Sequence, residues 1–307
     1  MNLVPALGIN IKDYNPDDIL KGKLWRITEK IDGVRRLFYK DNQGKVRAYS
    51  RSGKADPWLT HIVSYLEDHD FPNDIIYDTE LVDIDLYICL EESCIFNGNN
   101  VDSYTLRAET ISKAAQQYPD NKKDLSAVCF DMFRPGDLTK GAERSRLLMD
   151  TFKNIPIGAP IFGVPYYGVL KGYDQKNLEF LMTLINLRNG EGLMLMNLDA
   201  PYIPGRSKEL IKVKRHEEFI GKVIGVEIAK TGTKIEGGIA ALICEIPGCT
   251  IPVSVGSGFT KDERLYFMAH PPFGKMIEID AFSRTKNEDG NISLSVPIFK
   301  QVVEPDH

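Results

Sequence analysis

The chain has 307 residues, of which 43% are hydrophobic and 26% are charged, and its formal net charge is −5. This composition is typical of a globular protein with a sizeable core in one large domain or two smaller ones. The acidic balance argues against a non-specific polycation, although a local basic surface is enough to bind nucleic acid. No apolar run approaches the roughly 20 residues that cross a membrane, and the first residues do not form a secretion signal.

The five cysteines predict a reduced protein in the cytoplasm. Their number is odd and their spacing matches no disulfide framework. Two C-x4-C pairs lack companion histidines at ligand spacing, which argues against a structural zinc site. The cysteines are Cys89, Cys94, Cys129, Cys244 and Cys249.

The predicted elements change character near residues 212–221. Before this boundary, runs rich in β-branched and aromatic residues alternate with runs that repeat apolar residues at helical spacing. Strands are predicted at residues 25–31, 46–50, 75–88 and 126–133, and helices at 108–118, 142–155 and 176–190. Gly190 marks the end of the last helix.

After the boundary the pattern predicts strands, at residues 222–232, 239–246, 250–258, 275–284 and 291–299. Five strands in about 90 residues favour a small barrel of the OB type over a β-sandwich, which usually has more strands. The sequence therefore predicts an α+β fold, with a mixed domain at residues 1–216 and a β-barrel domain at residues 217–307.

A possible nucleophile lies in the pattern Lys30-x-Asp32-Gly33-x-Arg35. A charged turn would also account for Asp32 and Gly33. A lysine side chain with an ordinary pKa of about 10.4 is protonated at neutral pH, so a nucleophilic lysine needs a nearby cation that disfavours its ammonium form. A bound metal is such a cation, and Mg²⁺ accompanies nucleotide triphosphates.

Later segments supply the groups that such a nucleophile needs, in a fixed order. Two carboxylates share one strand face, an aromatic residue lies on another strand, a third carboxylate follows a helix, and two lysines share a strand face. Carboxylates suit a metal or a ribose, an aromatic ring suits a base, and lysines suit phosphate oxygens. These residues are Asp78, Glu80, Phe130, Glu191, Lys212 and Lys214.

Together these segments resemble the signature motifs of the covalent nucleotidyltransferases, which are ATP-dependent DNA ligases, RNA ligases and mRNA capping enzymes. The resemblance runs from Thr28 to Lys214. Three further segments are similar to those of compact phage or viral ATP-dependent DNA ligases: Ser50-Arg51-Ser52, Gly205-Arg206-Ser207, and Val255-Gly256-Ser257-Gly258-Phe259 with Arg264. The resemblance implies a nucleotidyltransferase domain, with ATP-grasp-like antiparallel sheets and helices, followed by an OB domain.

The resemblance also implies roles. Lys30 would attack the α-phosphorus of ATP and become lysyl-AMP, and Asp32 would assist the later attack of a 3′-hydroxyl on the adenylated 5′-phosphate of nicked duplex DNA. ATP contacts are implied for Thr28, Glu29, Arg35, Glu80, Phe130 and Glu191, metal ligation (Mg²⁺ or Mn²⁺) for Glu80 and Glu191, α-phosphate binding for Lys212 and Lys214, and binding of the nick 5′-phosphate for Arg51 and Arg206. Asp78 is left between a substrate contact and a structural role.

Two alternatives remain at this point: an RNA ligase, which the G-S-G-F segment disfavours, and a nick-binding protein with impaired self-adenylation. The second rests on one departure. Ser295 stands where the family has an arginine that orients the pyrophosphate of ATP, and Lys300 or Arg284 are candidate substitutes. This departure predicts slow reaction with ATP and efficient sealing of pre-adenylated nicks. A monomer that does not associate with membranes is expected.

Overall fold

A computed structural model describes residues 4–92, 95–96, 99–214, 217–281, 284–286, 290–294 and 296–303. The chain divides into two compact units, Met1–Lys214 and Arg215–His307. In the described part of the chain, no helix is both long and apolar enough to span a membrane. Sheets and helices are mixed in the first unit, so the predicted α+β fold is confirmed.

The first unit contains two five-stranded sheets, a two-stranded ribbon and six α-helices in its described part. Its elements are β1 (Ala6–Asn10), α1 (Pro16–Leu20), β2 (Leu24–Glu29), β3 (Val34–Lys40), β4 (Val46–Ser50), α2 (Thr60–Asp68), β5 (Ile75–Asp83), α3 (Ile84–Glu91), β6 (Ile95–Phe96), β7 (Asn99–Asn100), α4 (Ser103–Ala115), β8 (Leu125–Phe133), α5 (Gly141–Phe152), β9 (Ile161–Gly163), β10 (Tyr166–Lys171), α6 (Gln175–Leu187), β11 (Gly192–Asn197) and β12 (Gly205–Lys214). Short 3₁₀ helices lie at Ile11–Asp13 and Pro119–Lys122.

The first sheet has the strand order β1-β12-β11-β2-β10. Its pairs are antiparallel except for β1 with β12, which is parallel. Trp25 and Ile27 of β2 are buried against α1 and α6, and side chains alternate along a strand. Arg26 and Thr28 therefore face the opposite side. Met194 of β11 is the register partner of both Thr28 and Lys212, so these three residues lie side by side.

The second sheet has the strand order β4-β3-β5-β8-β9. On one face, Tyr77 and Leu81 of β5 pack into a core that includes residues of α2 and α5. Alternation turns Asp78 and Glu80 to the other face, where α3 and α4 also pack. Arg35 of β3 is the register partner of Glu80. Each sheet thus has a second face, away from α1 and α6 in the first sheet and from α2 and α5 in the second. Both of these faces carry polar side chains.

The strand predicted at residues 75–88 is wrong in its second half, because β5 ends at Asp83 and α3 follows. The Asp83 side chain accepts a hydrogen bond from the Leu86 backbone N–H at 3.2 Å, which caps the helix. Asp102 caps α4 in the same way, through the Thr105 N–H at 2.7 Å, so that helix begins five residues before its predicted start at residue 108. The sequence did not predict β1, α1, β3, α2, β6, β7, β9 or β10.

The second unit is mainly β-structure. Its elements are β13 (Glu217–Ile228), β14 (Ile239–Glu245), β15 (Val253–Val255), α7 (Lys261–Ala269), β16 (Met276–Ala281), β17 (Arg284–Lys286), β18 (Ile292–Leu294) and β19 (Ile298–Val303). Five strands form an antiparallel sheet in the order β15-β14-β13-β16-β19, and a bridge between Ser257 and Ile298 joins its two edges. This closure is what a small barrel requires, and it supports the OB assignment, which stays a prediction. The strand predicted at residues 291–299 is divided between β18 and β19, and α7 was not predicted.

The segment that resembles the ligase G-S-G-F motif is held by Arg264 of α7. Its guanidinium donates to the backbone oxygens of Ile239 at 2.9 Å, Ala240 at 3.0 Å and Gly256 at 2.8 Å. It also lies 5.0 Å from the ring centroid of Phe259. Arg264 therefore fixes this segment within the second unit.

Two further predictions concern the oxidation state of the cysteines and the departure from the family pattern at Ser295. Cys129, Cys244 and Cys249 are free thiols, but Cys89 is disulfide-bonded, so the prediction of reduced cysteines is wrong for Cys89. Ser295, the departure from the family pattern, lies outside the described residues. Arg284, one candidate substitute, donates to the Pro247 carbonyl at 3.0 Å.

Candidate active site

A cavity of about 740 Å³ lies in the first unit and is lined by residues of both sheets and of α4. It brings together eleven of the twelve predicted site residues, which are separated by as many as 186 positions in the chain. They are Thr28, Glu29, Lys30, Arg35, Arg51, Glu80, Phe130, Glu191, Arg206, Lys212 and Lys214. The twelfth, Asp32, is not among the lining residues. Its carboxylate pairs with Arg107, which does line the cavity.

Lys30 and Glu191 are in direct contact. The Lys30 ammonium donates to one Glu191 carboxylate oxygen, and Lys214 Nζ lies 3.0 Å from the other. Burial raises the pKa of Glu191, but Lys30 and Lys214 outweigh burial and hold this pKa below its ordinary value. Glu191 is therefore a carboxylate between two lysines. The Lys30 backbone N–H also donates to the Gly192 carbonyl at 2.9 Å, which fixes the nucleophile candidate beside β11.

Two glycines allow these segments to approach their neighbours. A Cβ on Gly33 would lie 1.9 Å from the Leu81 carbonyl oxygen, which is far below any real contact. Gly192 has φ of +150°, and a Cβ there would lie 2.1 Å from the Val213 carbonyl oxygen. The turn after Lys30 and the start of β11 can therefore adopt these positions only with glycine at each.

Arg35 is oriented by a buried carboxylate. Asp78 is fully buried and accepts from Arg35 Nε at 2.7 Å and from the Tyr202 hydroxyl at 2.7 Å. The same hydroxyl accepts from the Ala6 backbone N–H at 2.8 Å. The Arg35 guanidinium lies 4.8 Å from the ring centroid of Phe130. These contacts favour the orienting role for Asp78, which also lines the cavity, over the substrate contact that the sequence left open.

Glu80 and Asp32 are carboxyl groups whose protonation depends on their surroundings. Burial raises the pKa of Glu80 to about 7, although Arg35 and Lys30 oppose the shift. Burial also raises the pKa of Asp32, with a further contribution from the Glu191 charge, against the opposing effects of Lys30 and Arg107. A cation that entered the cavity would favour the charged forms of both groups.

A divalent metal fits the donor set of Glu80 and Glu191. Mg²⁺ in phosphate-transfer sites is typically held by one or two carboxylates together with substrate phosphates and water. Among the described residues, no group of three or more His, Cys, Asp or Glu side chains is arranged to hold a metal by itself. These two carboxylates would therefore need the phosphates of a nucleotide to complete a metal site.

The cavity also contains a cluster of cations around Lys212. Burial lowers the pKa of Lys212, and the neighbouring charges of Lys214, Lys30 and Arg206 lower it further. Such mutual repulsion among cations is relieved when an anion binds between them. The arrangement is thus suited to a phosphate group.

Arg51 and Arg206 extend this positive charge to the exposed part of the cavity. Arg51 lies in a tight turn, in which the Ser50 N–H donates to the Lys54 carbonyl at 2.7 Å and the Gly53 N–H donates to the Ser50 carbonyl at 2.9 Å. The turn presents the arginine to solvent. Two exposed arginines beside the cavity suit an anionic partner that approaches from outside.

Glu29 belongs to a buried network that the sequence did not predict. Its carboxylate accepts from Arg188 at 2.7 Å and from the Tyr167 hydroxyl at 3.2 Å, and Arg188 also donates to Glu91 at 2.7 Å. Burial and the nearby Glu91 together raise the pKa of Glu29 to about 8, while Arg188 opposes the shift.

Arg26 is a second cavity residue that the sequence did not single out. It is only 4% exposed, and it donates to the Phe130 carbonyl and to the Ser145 hydroxyl, the latter at 3.2 Å. Burial lowers its pKa. The contacts tie β2 to the backbone that carries the aromatic ring. An arginine in an otherwise amphipathic strand gives no sequence signal of such burial.

One family model matches this chain, and several solved structures share its fold. The model of the ATP-dependent DNA ligase domain matches residues 16–214. A solved structure named Pmar-Lig_PreS3 superposes with a TM-score of 0.75 at 22% identity, over 97% of this chain and 67% of the other. A Lig E DNA ligase, from a study of DNA binding with a minimal scaffold, gives 0.65 at 22% identity over 98% and 100%. The ATP-dependent DNA ligase of bacteriophage T7, in complex with ATP, gives 0.50 at 17% identity over 97% and 98%.

A comparison with curated protein sequences gives no significant match. The solved structures establish the fold, and the family model covers well over half of the chain, including Lys30 and every other predicted site residue. Its match ends at Lys214, the last residue of β12 and of the first unit. The chain belongs to the family of ATP-dependent DNA ligases.

Proposed function

We propose that this ligase seals nicks in duplex DNA through a lysyl-AMP intermediate on Lys30. One observation carries the proposal. The Lys30 amine lies in contact with Glu191, which is paired with Lys214, inside a cavity that also holds Arg35 and Phe130. This is a lysine with a carboxylate, phosphate-binding cations and a base-stacking ring around it, in a chain whose family uses ATP.

In the first step, the Lys30 nitrogen would bond to the α-phosphorus of ATP while the bond to pyrophosphate breaks. Attack requires Lys30 to lose a proton and to leave its hydrogen bond with Glu191. Lys212 and Lys214 would neutralise the α-phosphate, since phosphoryl-type transfer depends mainly on positioning and charge neutralisation. Bound Mg²⁺, held by Glu80 and Glu191, would supply further positive charge.

The nucleoside would be held by residues around the same lysine. Phe130 would stack on the adenine, and Thr28, which is buried beside Met194, would contact its edge. Arg35, fixed by Asp78, would bind the ribose together with Glu80. Glu29 lines the cavity but is engaged by Arg188, so its part would be to support the wall of the nucleotide site.

In the later steps, the AMP group would pass from Lys30 to the 5′-phosphate of a nick, and the 3′-hydroxyl would then attack that phosphate and expel AMP. Arg51 and Arg206 would bind the 5′-phosphate, and Asp32 would assist the final attack. Contacts with DNA would be mostly to phosphates, which makes binding salt-sensitive and independent of sequence. The enzyme would act as a monomer.

Covalent labelling tests this proposal. The protein is incubated with Mg²⁺ and α-labelled ATP, beside a Lys30→Ala variant and a matched control, Lys176→Ala, which removes an exposed lysine of α6. Label should attach to the parent and the control but not to Lys30→Ala. The Lys30→Ala variant should still seal a nick that is already adenylated, because that step does not use the amine. Absence of label on the parent would refute the proposal.

Two further measurements test the substrate and the relative rates of the proposed steps. Replacing the DNA strand that carries the 3′-hydroxyl with RNA should slow sealing; faster sealing would indicate an RNA ligase. Single-turnover rates of self-adenylation and of sealing test the hypothesis drawn from Ser295, which requires self-adenylation to be the slower step. Equal or faster self-adenylation would remove that hypothesis.

A separate proposal concerns the location of the protein in the cell, which is the cytoplasm. The odd number of cysteines favours the cytoplasm, whereas the disulfide at Cys89 is typical of an oxidising compartment. Cells are denatured in the presence of an alkylating agent, which exposes the buried Cys89, and the protein is analysed by mass spectrometry. Alkylated Cys89 supports the cytoplasm, and Cys89 that reacts only after reduction contradicts it.

A further inference from the structure

Helix α4 contributes to the cavity wall a cation that no sequence motif predicted. Arg107 Nη1 lies 2.7 Å from Asp32 Oδ1. The Asp32 side chain is 11% exposed, whereas the Arg107 side chain is 49% exposed. The two residues are 75 positions apart in the chain. An arginine on a solvent-facing turn of α4 thus reaches into the segment that carries Lys30.

The position of Arg107 is fixed by its helix. Leu106 is buried in the core shared with α3, and the Thr110 hydroxyl accepts from the Asp83 backbone N–H at 2.9 Å. Lys113 pairs with Asp83 and, at 3.1 Å, with Asp124. These contacts anchor α4 to the end of β5. The ion pair with Asp32 is therefore made from a rigid element.

A second anchor joins α4 to the segment that carries Glu191. The Ser103 backbone N–H donates to the Asn189 carbonyl at 3.0 Å, and Ser103 is almost completely buried. Asn189 lies two residues before Glu191. The segments that carry Asp32 and Glu191 thus each contact α4, through Asp32 itself and through Asn189, and α4 holds the two segments in a fixed relation.

Asp32 needs such a partner. The nearest cation in its own motif, Lys30, is already engaged by Glu191, and the Glu191 carboxylate repels Asp32. Without a counter-charge, a largely buried carboxylate in this position would turn away from Glu191 or take up a proton. Lys30 also favours the charged form of Asp32, and Arg107 supplies a counter-charge in direct contact, with Nη1 2.7 Å from Asp32 Oδ1.

We propose that Arg107 is a positioning residue for the sealing step, which holds the Asp32 carboxylate in place for the attack of the 3′-hydroxyl and is not required for self-adenylation. This inference rests on the role proposed for Asp32. The Lys30–Glu191–Lys214 contacts do not involve Arg107, so formation of lysyl-AMP should be independent of it.

A double-mutant cycle tests the inference, using Arg107→Gln, Asp32→Asn and the combined variant, with Arg107→Lys as the conservative substitution. Arg146→Gln, which removes an exposed arginine of α5, is the matched control. Two single-turnover rates are measured for each protein: sealing of a pre-adenylated nick, and covalent labelling by α-labelled ATP. Labelling also reports that each variant is folded.

Arg107→Gln should slow sealing about 10-fold and leave labelling within about twofold of the parent, and Arg107→Lys should recover part of the loss. The combined variant should seal no more slowly than Asp32→Asn, because Arg107 acts through Asp32. Multiplied effects in the combined variant would show that Arg107 contacts substrate independently, and would overturn the inference. So would equal losses in both steps, or unchanged sealing in Arg107→Gln. If the parent itself neither labels nor seals, the proposed function fails instead.

Discussion

Replacing Tyr202 with phenylalanine isolates one hydroxyl that joins three parts of the first unit. The hydroxyl donates to Asp78 at 2.7 Å and accepts from the Ala6 N–H at 2.8 Å. The ring itself is kept, and with it the stacking on Phe133, whose centroid lies 3.6 Å away. Asp78 also keeps its pairing with Arg35, so the change does not leave a buried charge alone.

The expected loss follows from these two hydrogen bonds. A hydrogen bond to a charged group contributes about 1.5–3 kcal/mol, and a buried N–H left without an acceptor costs about 1–3 kcal/mol. Partial relaxation of β1, whose first residue is Ala6, reduces the sum. The free energy of unfolding of the first unit should therefore fall by about 2–4 kcal/mol.

Urea unfolding followed by tryptophan fluorescence measures this loss. The chain has two tryptophans, Trp25 and Trp58, and both belong to the first unit, so the signal reports that unit. Tyr166→Phe, at a tyrosine that is 44% exposed, is the control and should change stability by less than about 0.5 kcal/mol. A loss below about 1 kcal/mol in Tyr202→Phe would refute the assigned hydrogen bonds.

Three other changes probe the site. Gly33→Ala places a Cβ 1.9 Å from the Leu81 carbonyl, so the Lys30 turn must shift by about 1 Å, and self-adenylation should fall about 100-fold in the labelling assay. Glu29 has a pKa of about 8 in the folded protein and 4.5 as its ordinary value, so its stabilising effect is fully present below pH 4.5 and is lost as the pH rises through 8. The parent should therefore lose about 2 kcal/mol more unfolding free energy between pH 6 and pH 8 than Glu29→Gln, measured by urea unfolding. Arg51→Ala should lower the slope of log affinity for nicked DNA against log salt by about 0.9, measured by fluorescence anisotropy.

Each of these changes has a control and a contradicting result. Gly256→Ala adds a Cβ whose nearest neighbour is 3.4 Å away and should be well tolerated; equal damage in both glycine variants would contradict the steric account. The pH experiment fails if the parent and Glu29→Gln change in parallel. Arg47→Ala removes an exposed arginine of β4, the strand that precedes the Arg51 turn, and should leave the salt slope unchanged; equal slopes for Arg51→Ala and the parent would exclude a phosphate contact at Arg51.

Local patterns in the sequence predicted much of the fold. The helices α5 and α6 were placed within a few residues because their apolar residues recur at helical spacing. The second half of the strand predicted at residues 75–88 failed because Ile84–Glu91 is apolar on most sides, and such a run does not distinguish a buried helix from a strand. The capping carboxylate of Asp83 was the available signal.

The site, too, contains residues that the sequence predicted and residues that it did not. Residues such as Lys30 and Glu80 could be proposed because they lie in short motifs, whereas Arg107, Arg188 and Tyr202 lie in none. Each of these three acts through a partner that is distant in sequence, 159 positions away for the Arg188 contact with Glu29 and 196 for the Tyr202 contact with Ala6. Pairings over such separations depend on strand order and helix placement, which local patterns do not encode.

The contact between Lys30 and Glu191 also has a consequence during protein synthesis. The two residues are 161 positions apart, and Lys214 lies further along the chain. Lys30 therefore leaves the ribosome long before the residues that surround it exist. Until β11 pairs with β2, and β12 with β11, it is an ordinary solvated lysine without a phosphate site. The proposed nucleophile thus becomes competent only when the whole first sheet has assembled, and a truncated or half-folded chain should not consume ATP.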